Sequence, residues 1–293
     1  LEAGVVRPED TFDVGNARAY PIGGGRVIHE AESSKTGILT AAECLAHSVN
    51  AGMVQIGLRV DDDVLRRDFT ALGYGQPPGS GLGGERDGYL TPLPWAETQT
   101  KASVCFGHEI SVTLWQHAAG LNALVRGGQY VPLRLMGAVE QNGLCYELEP
   151  AVPRPAYSYD TSLTGREMMK LAAREGTGAR IASPEVLPGI VVGTKTGTPQ
   201  KVPTEICLHV ELEHYERHRR AGTACNRLCR RSMASSPKPH QNCYSPLMCA
   251  FGRLEGSERE VLVLVVADDP RVGKFGGDVA GPPAIAILRE ALG

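Results

Sequence analysis

Three strongly apolar segments late in the chain place the tightest limit on its fold. They cover residues 190–198, 247–254 and 261–267, and they follow a long, mostly helical stretch. Such short apolar runs predict strands that pair consecutively and antiparallel, and a helical pattern over residues 283–292 would cover them. This order, in which helices are followed by strands and then by a covering helix, predicts a mixed α+β fold rather than a doubly wound parallel sheet.

The region before the strands contains several helical patterns. Thr40-Ala41-Ala42-Glu43 is a capping box, in which the threonine hydroxyl and the glutamate carboxylate satisfy amides at the start of a helix. Further helices are expected over residues 51–60 and 63–72, after Thr113, and after a second box-like sequence, Thr164-Gly165-Arg166-Glu167.

Length and charge narrow the class of protein. With 293 residues, 42% of them hydrophobic, the chain buries a large core, and one domain over residues 1–293 is expected. The net charge of -3 gives no basic field, so no nucleic-acid partner is predicted. The sequence contains neither a membrane span nor a signal peptide. Because it starts at Leu1 rather than at Met, we expect upstream sequence to be missing.

The first of the three strands carries a candidate binding motif. Lys195-Thr196-Gly197-Thr198 comes directly after the apolar run Ile190-Val191-Val192. A lysine and two hydroxyls on an extended segment predict a site where Lys195, Thr196 and Thr198 hold a carboxylate, while the open strand edge binds a peptide backbone by strand addition. The alternative is an ordinary exposed strand with a turn.

A second motif, Ser48-Val49-Asn50, lies near the end of the helix that Thr40 begins. A side chain at a helix end can face a cleft, so Ser48 is a candidate proton relay and Asn50 a candidate donor to a substrate amide. Taken alone, the pair is more often explained by an asparagine that caps a helix. Its position, after a capped helix and far upstream of Lys195, makes it a catalytic candidate.

Taken together, these motifs and their order resemble the transpeptidase domain of class B penicillin-binding proteins, closest to the cell-division type. The likeness extends over nearly the whole chain. It also includes the stretch from Leu1 to Phe12, Gly25-Arg26-Val27-Ile28, Phe106-Gly107, Val112-Thr113-Leu114-Trp115-Gln116, Gly127-Gly128, and the end from Gly273 or Gly276 to Pro282. The resemblance implies a penicillin-binding-protein/β-lactamase-like fold, with helices on both sides of an antiparallel sheet, an all-helical subdomain, and N-terminal strands that this chain lacks.

The resemblance implies serine acyl transfer. In the family, a serine attacks the penultimate D-Ala of a peptidoglycan stem peptide, releases the last D-Ala and passes the acyl group to a neighbouring stem, and β-lactams acylate the same serine. Ser48, Asn50 and Lys195 would then be catalytic, Thr196, Gly197 and Thr198 would bind substrate, and catalysis would need no cofactor. The intact protein is expected at the outer face of the plasma membrane, with divisome proteins as candidate partners.

The family's nucleophile and its base come from a Ser-x-x-Lys motif shortly before the segment that matches Leu1, so we expect this chain to be an inactive part of the domain. Ser235-Ser236-Pro237-Lys238 has that spacing, but Pro237 would break the helix that such a motif requires. In the family, the first strands pair with the strand that matches residues 261–267, so in such a fragment this strand would be an apolar sheet edge, which predicts aggregation of the isolated chain.

Two departures from the family pattern concern local shape. Glu109 stands where the family usually has a glycine suited to positive φ, which places the local turn in question. Thr194 stands where a second small glycine is common, and it narrows the space beside the strand.

Nearly fifty residues separate Thr198 from the next strand, and we predict an insertion over residues 201–246. His214 and His218 are spaced four apart, as are Cys225 and Cys229, which places each pair on one helix face. These four residues predict a structural zinc site. The alternative is a solvated basic loop whose cysteines form disulfides after export.

Two other functions fit the same motifs. A serine β-lactamase or β-lactam sensor of this fold would position a water that hydrolyses the acyl-enzyme, but the sequence offers no clear base for that step. A noncatalytic binding or scaffold module would keep the motifs without a nucleophile. Peptidoglycan cross-linking is the preferred function.

Overall fold

The computed structural model describes residues 1–16, 19–30, 35–81, 83–200, 244–270 and 272–293. The α-helices, numbered along the chain, are α1 (Ala41–Ala46), α2 (Asn50–Gly57), α3 (Asp62–Ala71), α4 (Ala102–Val104), α5 (Leu114–Val125), α6 (Tyr159–Arg174), α7 (Ala179–Ala182), α8 (Gly276–Val279) and α9 (Gly281–Leu292). A π-helix, Glu97–Lys101, directly precedes α4.

The strands are short except for the last three. They are β1 (Thr11–Asp13), β2 (Ala19–Gly23), β3 (Arg26–His29), β4 (Ile38–Thr40), β5 (Tyr89–Leu90), β6 (Ile110–Ser111), β7 (Gln129–Tyr130), β8 (Ala138–Gln141), β9 (Leu144–Glu147), β10 (Arg154–Pro155), β11 (Ile190–Gly197), β12 (Leu247–Leu254) and β13 (Val261–Val266).

The last three strands form the central sheet. Its order is β11-β12-β13, both pairs are antiparallel, and Lys195 lies opposite Cys249, which in turn lies opposite Leu264. The three predicted strands are therefore confirmed, each to within one residue at its ends. Among the described strands, β13 pairs with β12 alone and β11 forms the opposite edge, so the apolar strand at the sheet margin is also as predicted.

Helices cover both faces of the central sheet, which confirms the mixed α+β prediction. On one face, Ile285 and Leu288 of α9 are buried against Met248 and Val263. On the other face, the fully buried ring of Phe251 packs with Met169 of α6 and with partly buried side chains of α1 and α5. Burial of one such aromatic side chain stabilises the fold by about 1.5–3 kcal/mol.

The start of α6 differs from the sequence prediction, which placed it after Thr164. Thr164 lies inside the helix, and Ser158 caps it, with Ser158 Oγ accepting from the Thr161 amide at 3.2 Å. The carboxylate of Glu2 accepts from the Ser158 amide at 3.0 Å and from the Thr161 hydroxyl at 2.6 Å. Because Glu2 is so distant in the sequence, the local pattern does not reveal its part in the cap.

Two parts of the chain bear on earlier predictions. Glu109 has a φ of 56°, so the left-handed position that glycine usually occupies is retained with a side chain on it.

The chain leaves β11 and returns to β12 at Gln200 and Tyr244, which form an isolated antiparallel bridge. The predicted zinc ligands His214, His218, Cys225 and Cys229, and the Ser235 to Lys238 sequence, lie outside the described residues, as does most of the predicted insertion.

A buried histidine is expected to make stability depend on pH. The His117 ring lies 2.9 Å from the Tyr74 hydroxyl through Nδ1, and burial lowers the pKa of His117. The unfolded chain therefore takes up this proton first, near pH 6.5, so the contribution to stability is complete above that pH and is lost as pH falls below it. In His117→Asn, the free energy of unfolding should fall less steeply between pH 7 and pH 5, by up to about 1.4 kcal/mol per pH unit.

Urea unfolding at several pH values would measure this difference. His29→Asn makes the same substitution at an exposed side chain and is the matched control for the change of residue type. If His117→Asn and wild type show the same pH dependence, His117 does not contribute to it.

Candidate active site

The turn between α1 and α2 places Ser48 in an unusual conformation. The capping box begins α1 as predicted, because Thr40 Oγ1 accepts from the Glu43 amide and the Glu43 carboxylate accepts from the Thr40 amide. The helix ends at Ala46, and Ser48 has a φ of 54°. Left-handed backbone costs a non-glycine residue about 1–2 kcal/mol, so tertiary contacts must hold this turn.

Glu30 supplies one of those contacts. Its two carboxylate oxygens accept from the amides of Asn50 at 2.8 Å and Ala51 at 2.6 Å, at the start of α2. The side-chain amide of Asn50 donates to the carbonyl of His29 at 2.9 Å. The residue before α2, Val49, has no side-chain oxygen, so Glu30 acts as the cap from a distant segment.

Lys195 on β11 contacts this turn. Lys195 Nζ donates to Ser48 Oγ, across a separation of 147 residues, and also to the carbonyl of Thr196 at 2.7 Å. Burial around the ammonium lowers the pKa of Lys195 to about 8. No carboxylate forms an ion pair with Lys195 in the part of the chain that the structure describes. An unpaired cation beside a hydroxyl suits the binding of an anion and the movement of a proton.

The other residues of the Lys195 motif have separate contacts. Successive side chains of a strand point to opposite faces, so Thr196 faces away from Lys195. Its hydroxyl shares a 2.7 Å hydrogen bond with the hydroxyl of Thr177. The Thr198 hydroxyl accepts from the Gly276 amide at 3.2 Å. In this structure the two hydroxyls are thus bonded to Thr177 and to Gly276, and the prediction that they hold a carboxylate together with Lys195 stays a prediction.

Gly197 lies where the sheet leaves little room. A Cβ atom at Gly197 would lie 3.0 Å from the Leu247 side chain on β12. The glycine therefore fits the close pairing between β11 and β12, which is a structural reason for its place in the motif.

Two residues of this region were not predicted from the sequence. Glu30 directly follows β3, and nothing nearby in the sequence indicates that it caps α2. Thr177 stands in the sequence Gly176-Thr177-Gly178, which follows α6 and belongs to neither motif. A signal was present in that tripeptide, since a polar residue between two glycines often marks close backbone approach.

The described residues do not indicate a metal site. No group of three or more histidine, cysteine, aspartate or glutamate side chains within the described ranges is arranged to hold a metal ion. The zinc prediction for His214, His218, Cys225 and Cys229 stays a prediction.

Comparison with known proteins identifies the family. The penicillin-binding protein transpeptidase domain matches residues 1–206 of the chain. The chain belongs to this family. The resemblance to cell-division-type class B penicillin-binding proteins is thereby confirmed, since similar proteins include Stage V sporulation protein D of Bacillus subtilis, 27% identical over 87% of this chain and 34% of the relative.

Two further relatives carry the name of an activity. The probable peptidoglycan D,D-transpeptidase FtsI of Caulobacter vibrioides is 32% identical, and the alignment covers 69% of this chain and 32% of that protein. The peptidoglycan D,D-transpeptidase FtsI of Escherichia coli is 25% identical over 100% of this chain and 41% of its own length. The chain thus spans about a third of the length of the Bacillus subtilis relative and of the Caulobacter vibrioides relative.

Solved structures agree with the fold. The transpeptidase domain of penicillin-binding protein 3 from Burkholderia pseudomallei aligns with a TM-score of 0.73 at 23% identity, covering 99% of this chain and 74% of that one. Penicillin-binding protein 3 from Mycobacterium tuberculosis in complex with aztreonam has the same TM-score at 21% identity, covering 99% of this chain and 58% of that one. Among the described helices of our chain, none has the length and apolar character that crossing a membrane requires.

Proposed function

We propose that the full-length protein containing this chain is a serine D,D-transpeptidase that cross-links peptidoglycan stem peptides. The observation that carries this proposal is the hydrogen bond from Lys195 Nζ to Ser48 Oγ, which joins the two sequence motifs at one point. Two relatives are named peptidoglycan D,D-transpeptidases, which agrees with this reaction. The substrate lies outside the cell, so we place the protein at the outer face of the plasma membrane.

The described residues support specific roles in that reaction. The outer edge of β11 is unpaired among the described strands, so a stem peptide can add to it as an antiparallel strand. Lys195 would then attract the peptide's terminal carboxylate. Ser48 would relay a proton between Lys195 and the reacting serine, and Asn50 would donate to a substrate amide. A β-lactam resembles the D-Ala-D-Ala bond and would occupy the same groove.

The acylated serine is proposed to lie outside residues 1–293. The one Ser-x-x-Lys sequence in the chain, from Ser235 to Lys238, contains Pro237. Ser48 has the left-handed backbone of a turn and no second lysine bonded to it among the described residues, which suits a relay better than a nucleophile.

Mapping of a penicillin adduct tests the proposal. The full-length protein is incubated with penicillin, digested, and analysed by mass spectrometry over time. We expect one penicilloyl adduct on a serine outside residues 1–293 that persists for hours. Absence of any adduct would favour a noncatalytic module, and rapid release of hydrolysed penicillin would favour a β-lactamase. An adduct on Ser48 or Ser235 would overturn the assigned roles.

A further inference from the structure

The short segment Gly176-Thr177-Gly178 lies between the two halves of the site. It follows the last turn of α6 and comes before β11. From its contacts, we infer that Thr177 is a positioning residue that sets the contact between Ser48 and Lys195. This inference rests on the proposed acyl-transfer function, and it adds a residue that neither motif contains.

On one side, Thr177 is tied to the helix that leads to Ser48. The Thr177 amide donates to the carbonyl of Ala46, the last residue of α1, at 3.1 Å. The backbones are so close that a Cβ atom at Gly176 would lie 2.1 Å from the same carbonyl oxygen. A side chain at that position would force the segments apart, so Gly176 permits the hydrogen bond that Thr177 makes.

On the other side, Thr177 is tied to the strand that carries Lys195. Its hydroxyl bonds to the hydroxyl of Thr196 at 2.7 Å, and the carbonyl of Thr196 accepts from Lys195 Nζ at 2.7 Å. Thr177 therefore restrains the residue whose peptide group holds the lysine. Its own carbonyl oxygen would lie 3.2 Å from a Cβ atom at Gly277, so α8 also packs closely on this segment.

The neighbouring hydroxyl does not duplicate this connection. Thr194 Oγ1 is buried and has no hydrogen-bond partner in the described residues, and a Cβ atom at Gly178 would lie 2.1 Å from it. The segment thus rests against Thr194 without bonding to it. Thr177 is the described residue that bonds both to the end of α1 and to β11 beside Lys195.

Removal of one hydroxyl tests the inference. Thr177→Val keeps the branched shape of the side chain but loses the bond to Thr196. In the full-length protein, we expect the rate constant for acylation by a fluorescent penicillin at saturation to fall about 10-fold, because the lysine is displaced from its partner. The concentration for half-maximal rate should change less than about twofold, because the groove itself is retained.

The pH profile gives a readout that a merely structural role would not move. In Thr177→Val, the released Thr196 lets water reach the Lys195 ammonium. The pH at which activity is lost should therefore shift upward from its wild-type value of about 8. Thr177→Ser keeps the hydroxyl and should restore both the rate and the profile to within about twofold of wild type.

Thr70 provides the matched control. Its hydroxyl donates to the carbonyl of Arg66 at 3.0 Å within α3, so Thr70→Val removes one hydroxyl bond outside the site. This variant should acylate at the wild-type rate. If Thr177→Val also acylates at the wild-type rate with an unchanged pH profile, the inference is overturned while the proposed function stands. If wild type itself forms no adduct, the proposed function fails first.

A folding defect would be recognised from the thermal midpoint. Should Thr177→Val fail to fold, Thr196→Val removes the same bond from the strand side and is expected to give the same slower acylation and shifted profile. A folded Thr196→Val variant with the wild-type rate and profile would contradict the inference.

Discussion

Replacement of Lys195 by methionine is expected to lower the rate of penicillin acylation by the full-length protein about 100-fold or more. Methionine has nearly the length of lysine but no charge, so it removes the ammonium that donates to Ser48 Oγ and to the Thr196 carbonyl. Loss of one preorganised donor in an acyl-transfer site typically costs about 10²–10³ in rate. Stopped-flow measurement with a fluorescent penicillin would determine the acylation rate constant.

The pKa of Lys195 gives this prediction a pH dependence. Burial lowers that pKa to about 8, so the ammonium is charged at neutral pH and loses its proton as the pH rises through about 8. Acylation by wild type should decline over that range. Lys195→Arg stays charged there, so whatever activity it retains should show no decline near pH 8.

The free energy of unfolding should rise with pH over the range in which the acylation rate falls. A lowered lysine pKa means that the folded state holds the charge at a cost, so the unfolded chain binds the proton more tightly between about pH 8 and the ordinary value of 10.5. The Lys195 contribution to the free energy of unfolding should therefore rise with pH over this interval, and Lys195→Met should lack that rise.

Lys170 is the matched control for both measurements. It lies on α6 and pairs with Glu167 at 2.7 Å, on a helix surface outside the Ser48 and Lys195 contact. Lys170→Met should acylate at the wild-type rate. If Lys195→Met were as active as Lys170→Met, the Ser48 and Lys195 contact would have no part in catalysis.

The central sheet was predictable because its signals are local. Apolar runs of six to eight residues define β11, β12 and β13, and their consecutive order makes antiparallel pairing the simplest arrangement. The start of α6 was not predictable in the same way. The box-like sequence at Thr164 has the right letters, but the helix begins earlier, where Ser158 and the distant Glu2 complete the cap.

The site shows the same division between local and distant contacts. Ser48, Asn50 and Lys195 stand in short motifs, so their residue types and order pointed to one groove. Glu30 and Thr177 hold that groove through contacts with main-chain groups and with one hydroxyl. Main-chain amides and carbonyls are present at every position, so no residue pattern records which of them a distant side chain will meet.

Replacement of Gly276 by alanine is expected to destabilise the protein by about 2–3 kcal/mol, the upper range for overpacking in a close-packed region. A Cβ atom there would lie 2.2 Å from the Leu247 carbonyl oxygen and 2.5 Å from that of Gly197. Both are main-chain atoms of paired strands, so neither can move without shifting β11 or β12. The Gly276 amide also donates to Thr198 Oγ1, so the shift should disturb the end of the Lys195 motif.

The next residue provides the control for this steric argument. A Cβ atom at Gly277 would lie 3.2 Å from the Thr177 carbonyl oxygen and 3.7 Å from the Thr196 methyl group, which small adjustments can accommodate. Gly277→Ala should therefore cost less than about 1 kcal/mol. Urea unfolding of the two variants beside wild type measures the difference, and equal midpoints would mean that α8 is not held against the paired ends of β11 and β12 as the structure has it.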